Sequence, residues 1–241
     1  MIILIALLQG CNLFDTKSSY PETGIADDGL LINFRELHKD YEGSDPELYL
    51  EMQTNKFLEC ANYFIDYQKT FKDTSIDIRL LGIDIGPVCL TAFGPAYVYT
   101  PFSDVEGKIE LMIRDGDLRD RFEIDVTRKK VDITPIDASF TETNYTRYYR
   151  KPENSFHFYC QTQDNMTHLC QDFHDLVVNE LEIMEFEFPN DGHNPYISEH
   201  VDTQRFRVSR FYTYNMVDEF HRAGDLLESF THERIGDTQG N

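Results

Sequence analysis

The sequence predicts a mainly β protein with an α+β tail: a β-sandwich over residues 30–139, followed by a small α+β unit over residues 140–241. Three observations carry this prediction. From about residue 46 to residue 137, apolar and polar residues alternate with period two, the spacing of half-buried strands. Asp115-Gly116-Asp117 interrupts the alternation with the residue types of a tight hairpin turn. After about residue 140 the period lengthens to that of helices, first behind Thr167 and again behind Asn215.

The strands follow in order. Tyr63, Ile65 and Tyr67 alternate with Phe64, Asp66 and Gln68, and Ile76, Ile78 and Leu80 alternate with Asp77 and Arg79. The alternation slips at Gly82 before Ile83 and Ile85, which predicts a bulge. Pro87, Pro95 and Pro101 punctuate the apolar stretch Gly86 to Phe102. Proline cannot donate to a ladder, so this stretch is read as a strand, an irregular corner and an edge strand. Ile109, Leu111 and Ile113 enter the hairpin, and Phe122, Ile124 and Val126 leave it. Lys129 and Lys130 mark a further turn before Val131 and Ile133.

In the tail, Phe156–Tyr159 reads as a strand. Thr167 is placed to cap a helix carrying Leu169, Phe173, Leu176 and Val177 on one stripe. Met184, Phe186 and Phe188 alternate with Glu185 and Glu187, and Phe206 and Val208 alternate with Arg205 and Arg207, giving two more strands. Asn190-Asp191-Gly192 and Asn194-Pro195 are loop signals. Asn215 then caps a helix with Met216, Phe220, Ala223, Leu227 and Phe230 at helical spacing, and Gly236 stops it. The strand-and-turn pattern of the first region loosely resembles the immunoglobulin-like modules of surface lipoproteins, although the chain has no Trp.

The chain begins Met1-Ile2-Ile3-Leu4-Ile5-Ala6-Leu7-Leu8-Gln9-Gly10-Cys11, an apolar run too short to span a bilayer, which needs about 20 residues. Leu8-Gln9-Gly10-Cys11 resembles the lipobox of bacterial lipoprotein precursors. The resemblance implies a signal peptide over residues 1–10, lipidation of Cys11, and a mature protein anchored by acyl chains in the cell envelope, periplasmic or at the cell surface. Residues 11–29, rich in Ser, Thr, Asp, Gly and Pro, have the composition of a tether. No Lys or Arg precedes the apolar run, which departs from the basic start of a signal peptide. The alternative is a first buried strand with Cys11 as a core thiol.

A formal charge of −21, from 43 acidic and 22 basic residues, disfavours nucleic acid and a polybasic membrane contact. Partners are therefore expected to be the membrane, through the lipid anchor, and an envelope protein or glycan. Cys60, Cys89, Cys160 and Cys170 remain once Cys11 is lipidated, and an even number in an oxidising compartment suggests disulfides. Cys60–Cys89 and Cys160–Cys170 is the preferred pairing, since each pair falls within one structural unit. Unpaired buried thiols are the alternative.

Candidate chemistry is sparse. His157, Cys160, His168, Cys170 and His174 form the densest cluster of metal-ligand types and would serve a metal-assisted hydrolase, though their spacing fits no standard zinc site. Asp115, Asp117 and Asp120 lack the spacing of a calcium loop. Tyr145, Arg147, Tyr148, Tyr149, Arg150 and Lys151 form the one basic aromatic run, suited to stacking on a glycan or to packing between the two units. Arg205, Arg207 and Arg210 are matched to Glu185 and Glu187 across a sheet. No Gly-rich phosphate loop and no G-x-S-x-G elbow occurs, no cofactor is implied, and binding or scaffolding is expected ahead of catalysis.

Overall fold

A computed structural model describes residues 24–37, 46–60, 62–85, 92–162, 166–195 and 206–235. The signal peptide, Cys11, most of the tether, Cys89 and Gly236 lie outside the described residues. The large sheet is built from β1 (Leu30–Leu37), β2 (Glu47–Leu58), β3 (Tyr63–Lys72), β4 (Ser75–Ile85), β5 (Gly94–Pro101), β6 (Gly107–Asp115), β7 (Leu118–Val126), β8 (Lys130–Asp137), β9 (Thr141–Thr143) and β10 (Arg147–Tyr149). Its order is β10-β8-β7-β6-β4-β3-β5-β2-β1-β9.

The alternation read from the sequence becomes the core. Ile32, Leu50, Met52, Ile76, Ile78, Leu111, Ile113 and Ile124 are fully buried, and every one sits at the inward phase of its strand. Each such side chain contributes about 1.5–3 kcal/mol of transfer free energy. The sheet curls around this core, so that Tyr148 at one end reaches Asn33 of β1 near the other.

The predicted bulge and hairpin are both present. Asp66 pairs with Gly82 and Tyr67 with Leu80, leaving Leu81 as the extra residue, with Gly82 at φ 143°. Asp115 pairs with Leu118 across Gly116 (φ 59°) and Asp117. Asp115 Oδ2 also accepts the Ala26 N–H at 2.6 Å, fixing the short helix α1 (Ile25–Asp28) against the hairpin.

The ten strands form one hydrogen-bonded sheet. That sheet also runs past residue 139, because β9 pairs with β1 and β10 with β8. In the same way the end of the presumed tether is folded, with Ile25 4 % exposed in the core.

One expectation is corrected: β5 is an interior strand between β3 and β2. Phe102 N donates to Leu48 O at 2.7 Å, which sets the phase of the β5–β2 ladder. Pro95 and Pro101 then turn their missing N–H away from β2, toward β3, and β3 meets β5 at a single parallel pair, Phe64↔Tyr97. Proline is tolerated there because little of a ladder exists to interrupt.

The tail holds a three-stranded sheet in the order β11-β13-β12, with β11 (Ser155–Thr162), β12 (Ile183–Phe186) and β13 (Phe206–Tyr214), and two helices, α2 (His168–Glu180) and α3 (Val217–Ile235). Leu169, Phe173 and Val177 of α2 are buried as predicted, although the Thr167 side chain makes no capping bond. In α3 the inward stripe is Ala223, Leu226 and Phe230, while Met216, Phe220 and Leu227 are exposed. The helix begins at Val217, two residues past Asn215.

Candidate functional site

A concavity lies where the two ends of the curled sheet meet. β1 supplies one wall. Gly29 O accepts from Asn55 N at 3.1 Å, and Leu30 N donates to Phe140 O at 2.8 Å. Even-numbered residues of β1 therefore turn their N–H and C=O away from β2. β9 pairs with that edge over Leu30–Ile32.

β10 supplies the opposite wall. Its outer edge is covered by the loop predicted from Asp191-Gly192: His193 N donates to Arg147 O, and Tyr149 N donates to His193 O, both at 2.8 Å. Gly192 permits this approach, since a Cβ there would stand 2.9 Å from Arg147 O. Between the walls is a cavity of about 120 Å³, lined among others by Phe34, Arg35, Glu36, Tyr148, Arg150 and His193.

Two carboxylates organise this seam. Glu36, its side chain 4 % exposed, accepts Arg150 Nε at 2.8 Å and the Lys151 backbone N–H at 2.5 Å. Glu51 is buried in β2 although it belongs to the outward phase. It accepts Arg35 Nε at 2.7 Å, Tyr99 Oη–H at 3.0 Å and Asn33 Nδ2 at 3.5 Å. Asn33 Oδ1 in turn accepts the Tyr148 hydroxyl at 2.8 Å, which also lies 2.8 Å from Thr143 Oγ1. Burial pushes the Tyr148 hydroxyl up to about 12. Burial, and then the charge of Glu51, do the same to Tyr99, also to about 12. Both hydroxyls therefore stay protonated and donate across the physiological range.

The basic aromatic run is thus brought into the seam. Tyr148 is buried, with its ring 6.0 Å from Phe34 and 5.6 Å from His193. Arg147 bonds Asp132 at 2.6 Å and pairs with Asp191. Tyr149 hydrogen-bonds Asp191, and its ring meets Phe188 at 5.8 Å. Tyr145, 43 % exposed, packs on His193 at 4.9 Å. The run therefore joins the two units and lines the cleft with what remains.

The His/Cys cluster is dispersed. Cys160 and Cys170 are joined in a disulfide that ties β11 to α2. His157 Nε2 lies 2.7 Å from Ser209 Oγ, its ring stacks on Phe211, and burial lowers its pKa. His174 Nδ1 is 2.6 Å from the buried Tyr212 hydroxyl, and His168 is exposed at the start of α2. Among the described residues no three His, Cys, Asp or Glu gather as metal ligands. Cys60 is buried and disulfide-bonded, with its partner outside the described residues.

Of the arginine set, Arg210 bonds Glu185 at 2.8 Å and Gln171 at 3.0 Å; the side chains of Arg205 and Arg207 lie outside the described residues. Asp120 is fully buried and accepts four donors from residues 139–141, a structural clamp.

Asn33, Arg35, Glu36, Glu51 and His193 were not singled out from the sequence. Asn33, Arg35 and Glu51 look like ordinary outward polar residues of alternating strands, and the register Asn33↔Glu51 brings them together, whereas Glu36 stands at the inward phase opposite Leu48 and His193 lies in a loop. The arrangement suits hydrogen-bonded recognition of a polar ligand: neutralised ion pairs and aromatic walls. No family model, no curated protein and no solved structure matches this chain.

Proposed function

We propose that this is a lipid-anchored binding or scaffolding protein of the bacterial cell envelope, held outside the cytoplasm by an acylated Cys11, whose partner meets it at the seam between β1 and β10. The observation that carries the extracytoplasmic reading is the Cys160–Cys170 disulfide, because such bonds persist in oxidising compartments. The cleft beside Arg35, Tyr148 and Arg150 supports a binding role, since its charges are already paired and aromatic rings line it. The immunoglobulin-like comparison is an analogy of strand pattern, and this reading does not depend on it.

Fatty-acid labelling tests the address. Wild-type chain takes up label and fractionates with membranes, and Cys11→Ser does neither. If both proteins stay unlabelled and fractionate alike, the anchored reading fails.

A further inference from the structure

A row of aromatic rings crosses the outward face of the large sheet beside the seam. Phe64 on β3 meets Tyr97 on β5 at 5.6 Å, Tyr97 meets Tyr99 at 5.8 Å, and Tyr99 meets Tyr49 on β2 at 6.5 Å. Phe64 is 44 % exposed and the three tyrosines are partly exposed. All four stand at the outward phase of their strands, opposite the core residues Ile65, Ala96 and Leu50. The rings meet edge to face, so the row is corrugated and offers ring faces at intervals.

The chemistry beside the row is built and electrically quiet. Alongside the rings, the outward residues over Asn33–Arg35 of β1, Tyr49–Gln53 of β2 and Tyr97–Tyr99 of β5 are two amides, Asn33 and Gln53, and one ion pair, Arg35–Glu51 at 2.7 Å. Tyr99 places its hydroxyl on that same carboxylate. Among the described residues, carboxylates stand at both ends of the row, Glu47 beyond Tyr49 and Asp66 and Asp84 beside Phe64, with Asp84 directly opposite it. Between Tyr97 and Tyr49 the strip is neutral, which matches it poorly to a cation, and a polyanion is repelled by a chain of net charge −21. The strip matches an uncharged polyhydroxylated ligand, whose apolar C–H faces stack on rings while its hydroxyls meet amides and an ion pair.

We propose that this strip binds a neutral oligosaccharide, which lies along Phe64, Tyr97, Tyr99 and Tyr49 and ends at the Arg35–Glu51 pair that also borders the seam cleft. This rests on the binding reading above and names its ligand class. The probes are unbranched neutral hexasaccharides of glucose and of N-acetylglucosamine, titrated calorimetrically into the full chain.

At least one hexasaccharide binds, and Tyr97→Ala and Phe64→Ala each weaken it about tenfold or more, the scale of a lost ring-stacking contact. Tyr97→Phe keeps the ring and retains binding, which separates loss of contact from loss of fold, and Tyr159→Ala on the small sheet changes nothing. The proposal is overturned if neither sugar binds, or if polylysine binds in a salt-sensitive way and the sugars do not. It also falls if Arg150→Ala abolishes sugar binding while Tyr97→Ala leaves it intact; in that case the seam cleft remains the site and the ring row is excluded.

Discussion

Replacing Asp120 with alanine is expected to destabilise the large sheet by about 4 kcal/mol, the middle of the range given by two orphaned donors at about 1–3 kcal/mol each. The Asp120 carboxylate is fully buried and accepts Ser139 N and Ser139 Oγ at 2.8 Å, Phe140 N at 2.9 Å and Thr141 N at 2.6 Å. Ser139 is exposed, so water can replace the carboxylate there. Phe140 and Thr141 are 7 % and 5 % exposed, so their N–H groups are left without an acceptor. The damage spreads, because Phe140 O accepts Leu30 N and so holds β9 against β1.

In a chain of this size each kcal/mol lowers Tm by about 2–4 °C, so a drop of about 10 °C is expected. Asp120→Asn keeps one carbonyl acceptor and should lose about half as much.

The pH dependence gives a second check. Burial pushes the Asp120 carboxyl up, but the donors from Ser139, Phe140 and Thr141 outweigh it and hold the folded value below the ordinary one. Its stabilising contribution is therefore present above the unfolded value of about 3.9 and lost as pH falls through the folded value. Urea unfolding followed by circular dichroism, from pH 7 down through pH 2, should show wild type losing stability in that acid window and Asp120→Asn losing less. An alanine variant within about 1 kcal/mol of wild type, or identical acid limbs for wild type and Asp120→Asn, would refute the reasoning.

Other outcomes follow from the same geometry. Replacing both Cys160 and Cys170 with serine should cost about 2–3 kcal/mol, the loop-closure value for a short loop, and amide exchange should quicken first in α2. Arg150→Ala leaves the Glu36 carboxylate buried without its guanidinium and should cost about 2 kcal/mol in chemical denaturation, with partial recovery in Arg150→Lys. Gly192→Ala drives a Cβ into Arg147 O and should detach the loop from β10, seen as new protease cleavage near residues 190–195 before any change in overall melting. In spectrophotometric titration Tyr99, Tyr148 and Tyr212 should ionise near pH 12, above the ordinary tyrosine value, and Tyr99→Phe should remove one such component.

What could be read in advance was whatever depends on near neighbours. Period-two stretches such as Ile76–Ile78–Leu80 bury as alternation demands, and Gly82 and Gly116 mark a bulge and a turn because each needs a backbone that other residues resist. The Cys160–Cys170 bond was legible for the same reason, being only ten residues apart. The closure of the sheet was not. Short β9 and β10 carry no pattern of their own, and they join the sheet through Phe140, Asp120 and Glu36, which are distant in sequence. The prolines of β5 pointed to an edge, whereas the deciding fact was which side of the strand their nitrogens face. The site suffered most. The Tyr145–Arg150 run was visible by composition, yet Glu51, Arg35 and Asn33 become a network only through strand register, which no local signal specifies.

The single rung Phe64↔Tyr97 has a mechanical consequence. It divides the backbone ladder into two leaves, one running from β5 to β9 and the other from β3 to β10. The leaves are fastened elsewhere by side chains, at Tyr148–Asn33 and Arg150–Glu36. Such a wall should breathe as two cooperative blocks, each with its own opening rate. The aromatic row straddles that hinge line, so an occupant resting on Phe64 and Tyr97 would act as a splint and slow solvent exchange in both blocks together.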